Sequence, residues 1–486
     1  MFNANTSNTP LTNDILFNNN SLLNVTAPII FDSDDRLLIF NDDAKMNLFT
    51  SNAITGGAQL FLGMTELNVS TSNAITGGFQ QTDDNAKINA SVNNAISGGT
   101  QYLRYSSELN ASASNAIIGG TQYFLGNAAL NATVSNAITG GTQTFWDNAI
   151  LNATASHTIA GGAQTFWNNA ILNAAVNDVI AGGTQVFNND SQLKIGVDDA
   201  VAGSRVELND NSQLLMQGHT AWVSSLAGNG GEVLGQGSTA STLTINGTHG
   251  EDTTFAGLLL NNNGTLNLVK DGTSRQTLAG VGSTVSDVAV KGGTLAFAQN
   301  GTFTTVGDYT THTGATTAIG VDNATLTVGG AFTQQAGSTL DITVGASPDI
   351  TADTAVLGGQ LVINGFAEEA TPVKASAATT TTYNLIHTAH GISGNFDNNP
   401  LTPTGLDYLL HDGHLSNNDH DYDMRFGLAW TDGLQRQSTG SFTVNAGTAF
   451  DIDTALADQI VPTGGFASGW DGRSLTKAGD GLLVLS

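Results

Sequence analysis

The chain has 486 residues, no cysteine, and 41 acidic against 14 basic side chains, a formal net charge of −27 at neutral pH. That balance argues against a nucleic-acid binder, which needs clustered Lys and Arg to meet phosphate, and the missing cysteines exclude disulfides and thiolate-held zinc. Charged residues make up 11% and apolar residues 40%, so the chain is not disordered by charge, and no run reaches the roughly 18 apolar residues of a membrane-spanning helix.

Residues 1–46 come first, polar with short apolar islands at Leu22-Leu23, Ile29-Ile30-Phe31 and Leu37 to Phe40. They read as irregular first coils that cover the end of a stack, because an open end is a sticky edge; a flexible leader is the alternative. The opening Met1-Phe2-Asn3-Ala4-Asn5-Thr6 lacks the basic and apolar regions of a secretory leader. That fits a cytosolic chain or a mature fragment with an added Met1.

Residues 47–204 repeat one unit of 21 residues. The block Asn52-Ala53-Ile54-Thr55-Gly56-Gly57 recurs from Asn73, Asn94, Asn115, Asn136, His157, Asp178 and Asp199. Gln59, Gln80, Gln101, Gln122, Gln143, Gln164 and Gln185 keep the same beat, as do Asn47, Asn68, Asn89, Asn110, Asn131, Asn152 and Asn173. A period held without insertion means one structural unit stacked on itself. Helical repeats need longer units and better helix formers, so the expected unit is a β-solenoid coil. Three short strands and their turns fill it, and successive coils pair at the roughly 4.8 Å spacing of strands. The fold class expected is all-β, a right-handed parallel β-helix of three-strand coils. Stacked Asn and Gln pass amide hydrogen bonds along the axis, the glycine pairs suit a turn of positive φ, and Phe61, Leu103, Phe124, Phe145, Phe166 and Phe187 form a core column.

From 205 to 365 the strict beat dissolves but the grammar stays: Gly292 to Phe297, Ala324 to Gly330 and Ser338 to Val344 alternate apolar and polar residues between glycine turns, the mark of half-buried strands. These are irregular further coils. Residues 366–424 change character. Glu368 to Pro372 and Thr379 to Thr382 read as loop, and His411 to Asp423, with three His and four Asp, reads as a small polar hairpin protruding near the C-terminal end. Its spacing lacks the Gly and bidentate Glu of a calcium-binding EF-hand loop. Strands return over 425–486.

The search for chemistry finds no Gly-x-Ser-x-Gly elbow, no His-Glu-x-x-His and no phosphate-binding loop. Asp83-Asp84 and Asp198-Asp199 read as solvated turn acids rather than a catalytic carboxylate pair. No catalytic residue, metal or cofactor is assigned. The aromatic columns are the better candidates for binding: Tyr102 with Tyr123, and Trp146 with Trp167. Since Phe145 points inward, alternation turns Trp146 outward, so the pair either forms an exposed ring platform or packs upon itself at a corner. Lys270, Arg275 and Lys291 supply a possible basic patch for a polyanionic glycan, against the plainer reading of scattered solvated charges.

The C-terminal segments Tyr383-Asn384-Leu385-Ile386, Gly391-Ile392-Ser393-Gly394-Asn395-Phe396, Gly427-Leu428-Ala429-Trp430, Gly440 to Val444, and Ser474-Leu475-Thr476-Lys477-Ala478-Gly479-Asp480-Gly481-Leu482-Leu483-Val484-Leu485-Ser486 resemble the passenger region of AIDA-I/antigen 43-type autotransporters. The last is similar to that family's passenger-associated repeat, with Leu482-Leu483 where Thr-Leu is usual. The resemblance covers about residues 380–486 specifically and 50–430 loosely. It implies a cell-surface adhesin anchored through a translocating outer-membrane barrel beyond Ser486, with C-terminal coils that help start folding outside the cell. It implies a non-catalytic function: binding of host extracellular-matrix proteins or glycans, association with another copy of itself in aggregation and biofilm, or both. The alternative class is a polysaccharide-acting β-helix lyase or glycosidase.

Overall fold

A computed structural model describes residues 1–4, 10–31, 33, 35–248, 250–320, 323–345, 348–366, 373–398, 408–430 and 438–486. The chain is a β-solenoid of parallel stacked strands, divided into two compact units: residues 1–247 with 253–266, and residues 248–252 with 267–486. Among the described residues no helix is long and apolar enough to cross a membrane.

In the first unit every 21-residue coil carries two four-residue strands, for example Ala58–Phe61 and Glu66–Val69. The third side is a single bridging residue, Ile54 on Ile75 on Ile96, continuing to Val201. The expected third strand is thus shortened to one isoleucine per coil, because the Gly-Gly turn begins two residues after it. Strand alternation sorts the side chains. Gln59 and Phe61 point inward and are fully buried, while Ala58 and Leu60 face outward.

The inward columns behave as their period requires. Phe124, Phe145, Phe166 and Phe187 stack with centroids 4.6–4.7 Å apart and planes within 8°. Beside them the seven glutamines form a fully buried amide ladder, each Nε2 after Gln59 donating to the Oε1 of the coil before it at 2.6–3.0 Å. The asparagine ladder lies on the outer side of the other sheet, half-buried, with bonds of 2.8–3.2 Å. It reaches further than the strict repeat, through Asn24 to Asn3. Residues 1–46 therefore contain coils in register with the rest, and Phe17 and Phe40 join the phenylalanine stack. Phe2 stays 68% exposed at this end.

The two glycines of each turn have different reasons. Gly78 sits at φ +76°, the left-handed region that glycine enters freely. Gly77 does not; a Cβ there lies 2.2 Å from the Thr55 carbonyl oxygen of the coil below. A second left-handed corner uses Asn52, Asn73, Asn94, Asn115 and Asn136, at φ 51–56°, residues whose short polar side chains tolerate that conformation.

The second unit begins with coils of uneven length, such as the parallel strands Thr302–Thr305 on Thr325–Gln334 and Thr339–Val344 on Gln360–Phe366, with a register shift between Val328 and Ala331. Then the pattern turns over. Leu409–Ser416 and Asp421–Leu428 form an antiparallel hairpin, and the second of these strands also pairs antiparallel with Thr382–Thr388. The hairpin turn places Asn417, Asn418 and Asp419 in the left-handed region. Two corrections follow. Ala375–Thr380 is a short helix where the threonine run suggested loop, and His411 is fully buried rather than part of a wholly polar tip. Residues 367–372, covering most of the expected Glu368–Pro372 loop, lie outside the described residues. The C-terminal segment closes with two parallel pairs, Ser441–Thr443 on Thr476–Ala478 and Ala449–Ile452 on Leu482–Leu485.

Candidate functional site

Two lateral faces of the first unit carry the outward columns. On the sheet containing Ala58–Phe61, three columns two residues apart along the strand place Phe79, then Tyr102 and Tyr123, then Trp146 and Trp167, on successive coils and on the same side by alternation. They form a slanting aromatic band. Phe79 lies 5.3 Å from Tyr102, Tyr102 lies 4.6 Å from Tyr123, and Trp146 lies 5.1 Å from Trp167 with planes 7° apart. All five are half-buried. Because the tryptophans stack face to face along the axis, each spends a ring face on its neighbour and offers solvent its edge. The structure therefore brings the four expected aromatics onto one face and adds Phe79, but the indoles stack on each other instead of lying as an open platform.

Beside this band stands a pair that the sequence reading took for a solvated acid. Arg104 meets Asp83 with two bonds, Nε to Oδ1 at 2.7 Å and Nη2 to Oδ2 at 2.6 Å, and this hydrogen bond raises the arginine's pKa above its ordinary value. Bidentate pairs of this kind are the strong ones. Next to it Tyr105 occupies the left-handed region at φ 59° while 58% exposed, where corresponding corners hold Gly63, Asp84, Gly126 and Asp147. A bulky residue held there is strained. At the end of the strict repeat, Asp198 accepts the Thr220 N–H at 2.9 Å and faces His219 Nδ1 at 3.2 Å. The backbone bond first, and the histidine second, hold its pKa below the usual carboxylate range.

The expected basic patch does not assemble. Lys270 is fully buried, its Nζ donating to the carbonyls of Asp271 and Gly292, and burial pulls its pKa down to about 8. Arg275 and Lys291 are exposed. With Lys270 inside, the three cannot act as one surface.

The other lateral face holds a feature missed at first. Lys45, Glu66, Lys87 and Glu108 are direct neighbours in the parallel register, so charge alternates along the stack. Lys45 binds Glu66 at 3.0 Å and Lys87 binds Glu108 at 3.1 Å. A groove of about 550 Å3 follows this column and includes Met64, Asn85 and Ser106. The 21-residue beat, applied to charged residues as it was to Asn and Gln, is the signal that finds it. A second groove of about 750 Å3 lies along the asparagine ladder from Asn110 to Asn173 and ends at Lys194, which takes the next ladder position.

In the second unit the hairpin holds His411 with Nδ1 3.1 Å from the Met424 sulfur, its ring 5.8 Å from Phe426, and Nε2 without a partner. Burial lowers its pKa to about 4. Among the described residues no three His, Asp or Glu side chains gather as metal ligands. Comparisons with protein-family models, curated proteins and solved structures find no match to this chain.

Proposed function

We propose that the chain is the passenger region of a bacterial surface adhesin, displayed outside the outer membrane, whose lateral faces bind other molecules without catalysis. Pairing between copies of the chain is its leading activity. The observation that carries this reading is the alternating column Lys45, Glu66, Lys87, Glu108.

Two such faces meet in register in two ways. Parallel stacks set each coil against itself, Lys45 on Lys45 and Glu66 on Glu66, and like charges in contact oppose association. A two-fold axis along the strand direction reverses the coil order while keeping each column opposite itself. Lys45 then faces the second copy's Glu108, and Glu66 faces the second copy's Lys87. A four-member alternating column is self-complementary only in this antiparallel arrangement, the isologous contact of a closed dimer. The column itself sums to zero charge in a chain of net −27, and Asp43, exposed in the same groove, is an acid beside it. Exposed Met64 lines the same groove and supplies apolar area.

The test is the relative orientation of the two copies. Inverting all four residues (Lys45→Glu, Glu66→Lys, Lys87→Glu, Glu108→Lys) leaves net charge unchanged and again gives a self-complementary column. Sedimentation velocity should show wild type pairing with wild type and inverted with inverted. In a mixed pair the columns are complementary only when the stacks run parallel, so dyes on the coil of Asn211 should transfer energy efficiently in mixed pairs and weakly in like pairs, where coil order is reversed. Equal transfer in like and mixed pairs, or a strict monomer in both, rejects pairing through this face.

The aromatic band supports a second activity, binding of a host matrix protein or glycan. Ring edges with phenol and indole donors suit a polypeptide better than a sugar ring, which stacks on an open aromatic face. A matrix-protein and glycan array with Tyr102→Ala and Trp167→Ala variants measures this. Release of reducing or unsaturated ends from a polysaccharide panel argues instead for the enzyme class.

A further inference from the structure

The triplet Asn-x-Thr occurs in two structural settings in this chain. Asn24, Asn131 and Asn152 belong to the half-buried ladder, where each Nδ2 donates to the neighbouring Oδ1 at 3.0–3.2 Å. There Asn and Thr share an outward face only because alternate residues of a strand do, and the amide nitrogen is engaged. Asn246, Asn263, Asn300 and Asn323 are exposed. In three of these four the Asn stands on a turn and the Thr at the entry to a strand: Thr265 precedes Leu266–Gly272, Thr302 opens Thr302–Thr305, and Thr325 opens Thr325–Gln334. Asn263 and Asn323 hold left-handed φ of 57° and 59°, which lifts the side chain off the strand. Thr302 and Thr325 are register partners with hydroxyls 2.8 Å apart, so Asn300 and Asn323 stand on successive coils as adjacent tips.

We propose that Asn246, Asn263, Asn300 and Asn323 are acceptor sites for N-linked sugar, transferred from a glycosyl diphosphate donor. Exposed Asn-x-Thr is the acceptor pattern for this modification; in Asn19-Asn20-Ser21, where Asn19 is exposed, the serine hydroxyl is already donated to the Asn18 carbonyl at 2.6 Å. The new bond joins Nδ2 to the anomeric carbon, and that carbon's bond to the phosphate oxygen breaks. The diphosphate leaves with the bonding pair, and the amide gives up one proton to a base. The ladder asparagines are not acceptors, because their nitrogens lie between coils about 4.8 Å apart. The inference does not depend on what the lateral faces bind.

Peptide mapping by mass spectrometry of chain taken from the cells that naturally carry it, before and after an amidase that converts sugar-bearing Asn to Asp, tests this. Sugar is expected on the four exposed asparagines and absent from Asn24, Asn131 and Asn152. A single hexose at each site identifies a nucleotide-linked donor, and a preassembled oligosaccharide a lipid-linked one. Thr302→Ala and Thr325→Ala should strip Asn300 and Asn323 while leaving Asn246 and Asn263 modified, a pattern that loss of folding does not produce. Four bare exposed asparagines, or ladder asparagines modified as fully as the exposed ones, overturn the proposal.

Discussion

At Gln122 two buried amide bonds of 2.7 Å meet, one donated to Gln101 and one received from Gln143. Gln122→Ala leaves the Gln101 oxygen unpaired in the core and opens a cavity, an expected loss of about 2–4 kcal/mol. Asn131→Ala interrupts the half-buried ladder, where water replaces the lost partner, and should cost about 1 kcal/mol. Denaturant titration of the two variants ranks them; equal losses would mean that the buried ladder gains nothing from its burial. Lys270 yields a second residue-level prediction. Its folded pKa is lowered from 10.5 to about 8, so between those values the unfolded chain holds a proton that the folded chain lacks. Stability therefore rises with pH across that window, by at most about 3 kcal/mol, and is flat below it. Lys270→Met should remove this slope and be the more stable at neutral pH. The glutamine and phenylalanine columns were legible because a fixed period assigns each position a direction. Lys270 was misjudged by its charge, although Leu266 and Leu268, at the same parity along the strand, are buried and marked the position as inward.

The hairpin Leu409–Ser416 with Asp421–Leu428 is the element most open to acid. Neutral His411 has a folded pKa lowered from 6.5 to about 4 by burial. As pH falls through that interval the unfolded chain takes up a proton first, so hairpin stability declines from about pH 6.5 to about pH 4 and is level above. Hydrogen exchange of the hairpin amides, corrected for intrinsic rates, should show protection falling by one to two orders of magnitude between about pH 7 and pH 4.5. His411→Phe should hold protection constant. An unchanged wild-type profile would show that Asp412, whose charge opposes the shift, compensates the buried imidazolium. The hairpin itself was legible from the polar run between two alternating segments, and its antiparallel join to Thr382–Thr388 was not. Pairing direction depends on which strand comes alongside, and no column period survives there to say so. The helix Ala375–Thr380 escaped for a related reason: six residues of Ala, Ser and Thr carry no apolar periodicity, and its ends are held by contacts such as Asp453 accepting from Ser376 N at 2.8 Å.

For the whole chain, the repeat that made the solenoid legible also concealed its contacts, since every coil offers the same Asn and Thr groups and only departures from the repeat distinguish one stretch of face from another. Lys45, Glu66, Lys87 and Glu108 are such departures. Their effect competes with the net charge of −27, and the two terms respond differently to salt. General repulsion between two acidic chains acts over tens of ångströms at low salt and fades once the screening length falls to about 10 Å, near 0.1 M. The opposed Lys–Glu pairs act at contact, within that length, and weaken only at higher salt. Association should therefore strengthen from about 0.01 M to about 0.15 M salt and weaken again toward 1 M. Replacing the column by glutamine (Lys45→Gln, Glu66→Gln, Lys87→Gln, Glu108→Gln) removes two charges of each sign and keeps the net charge, so general repulsion is matched between the two proteins. The wild-type dimerisation constant should exceed that of this variant most at about 0.15 M and converge with it near 1 M. Coincident curves at every salt would assign the association to the asparagine ladder or the aromatic band, and like and mixed pairs of the charge-inverted form would then no longer differ in orientation.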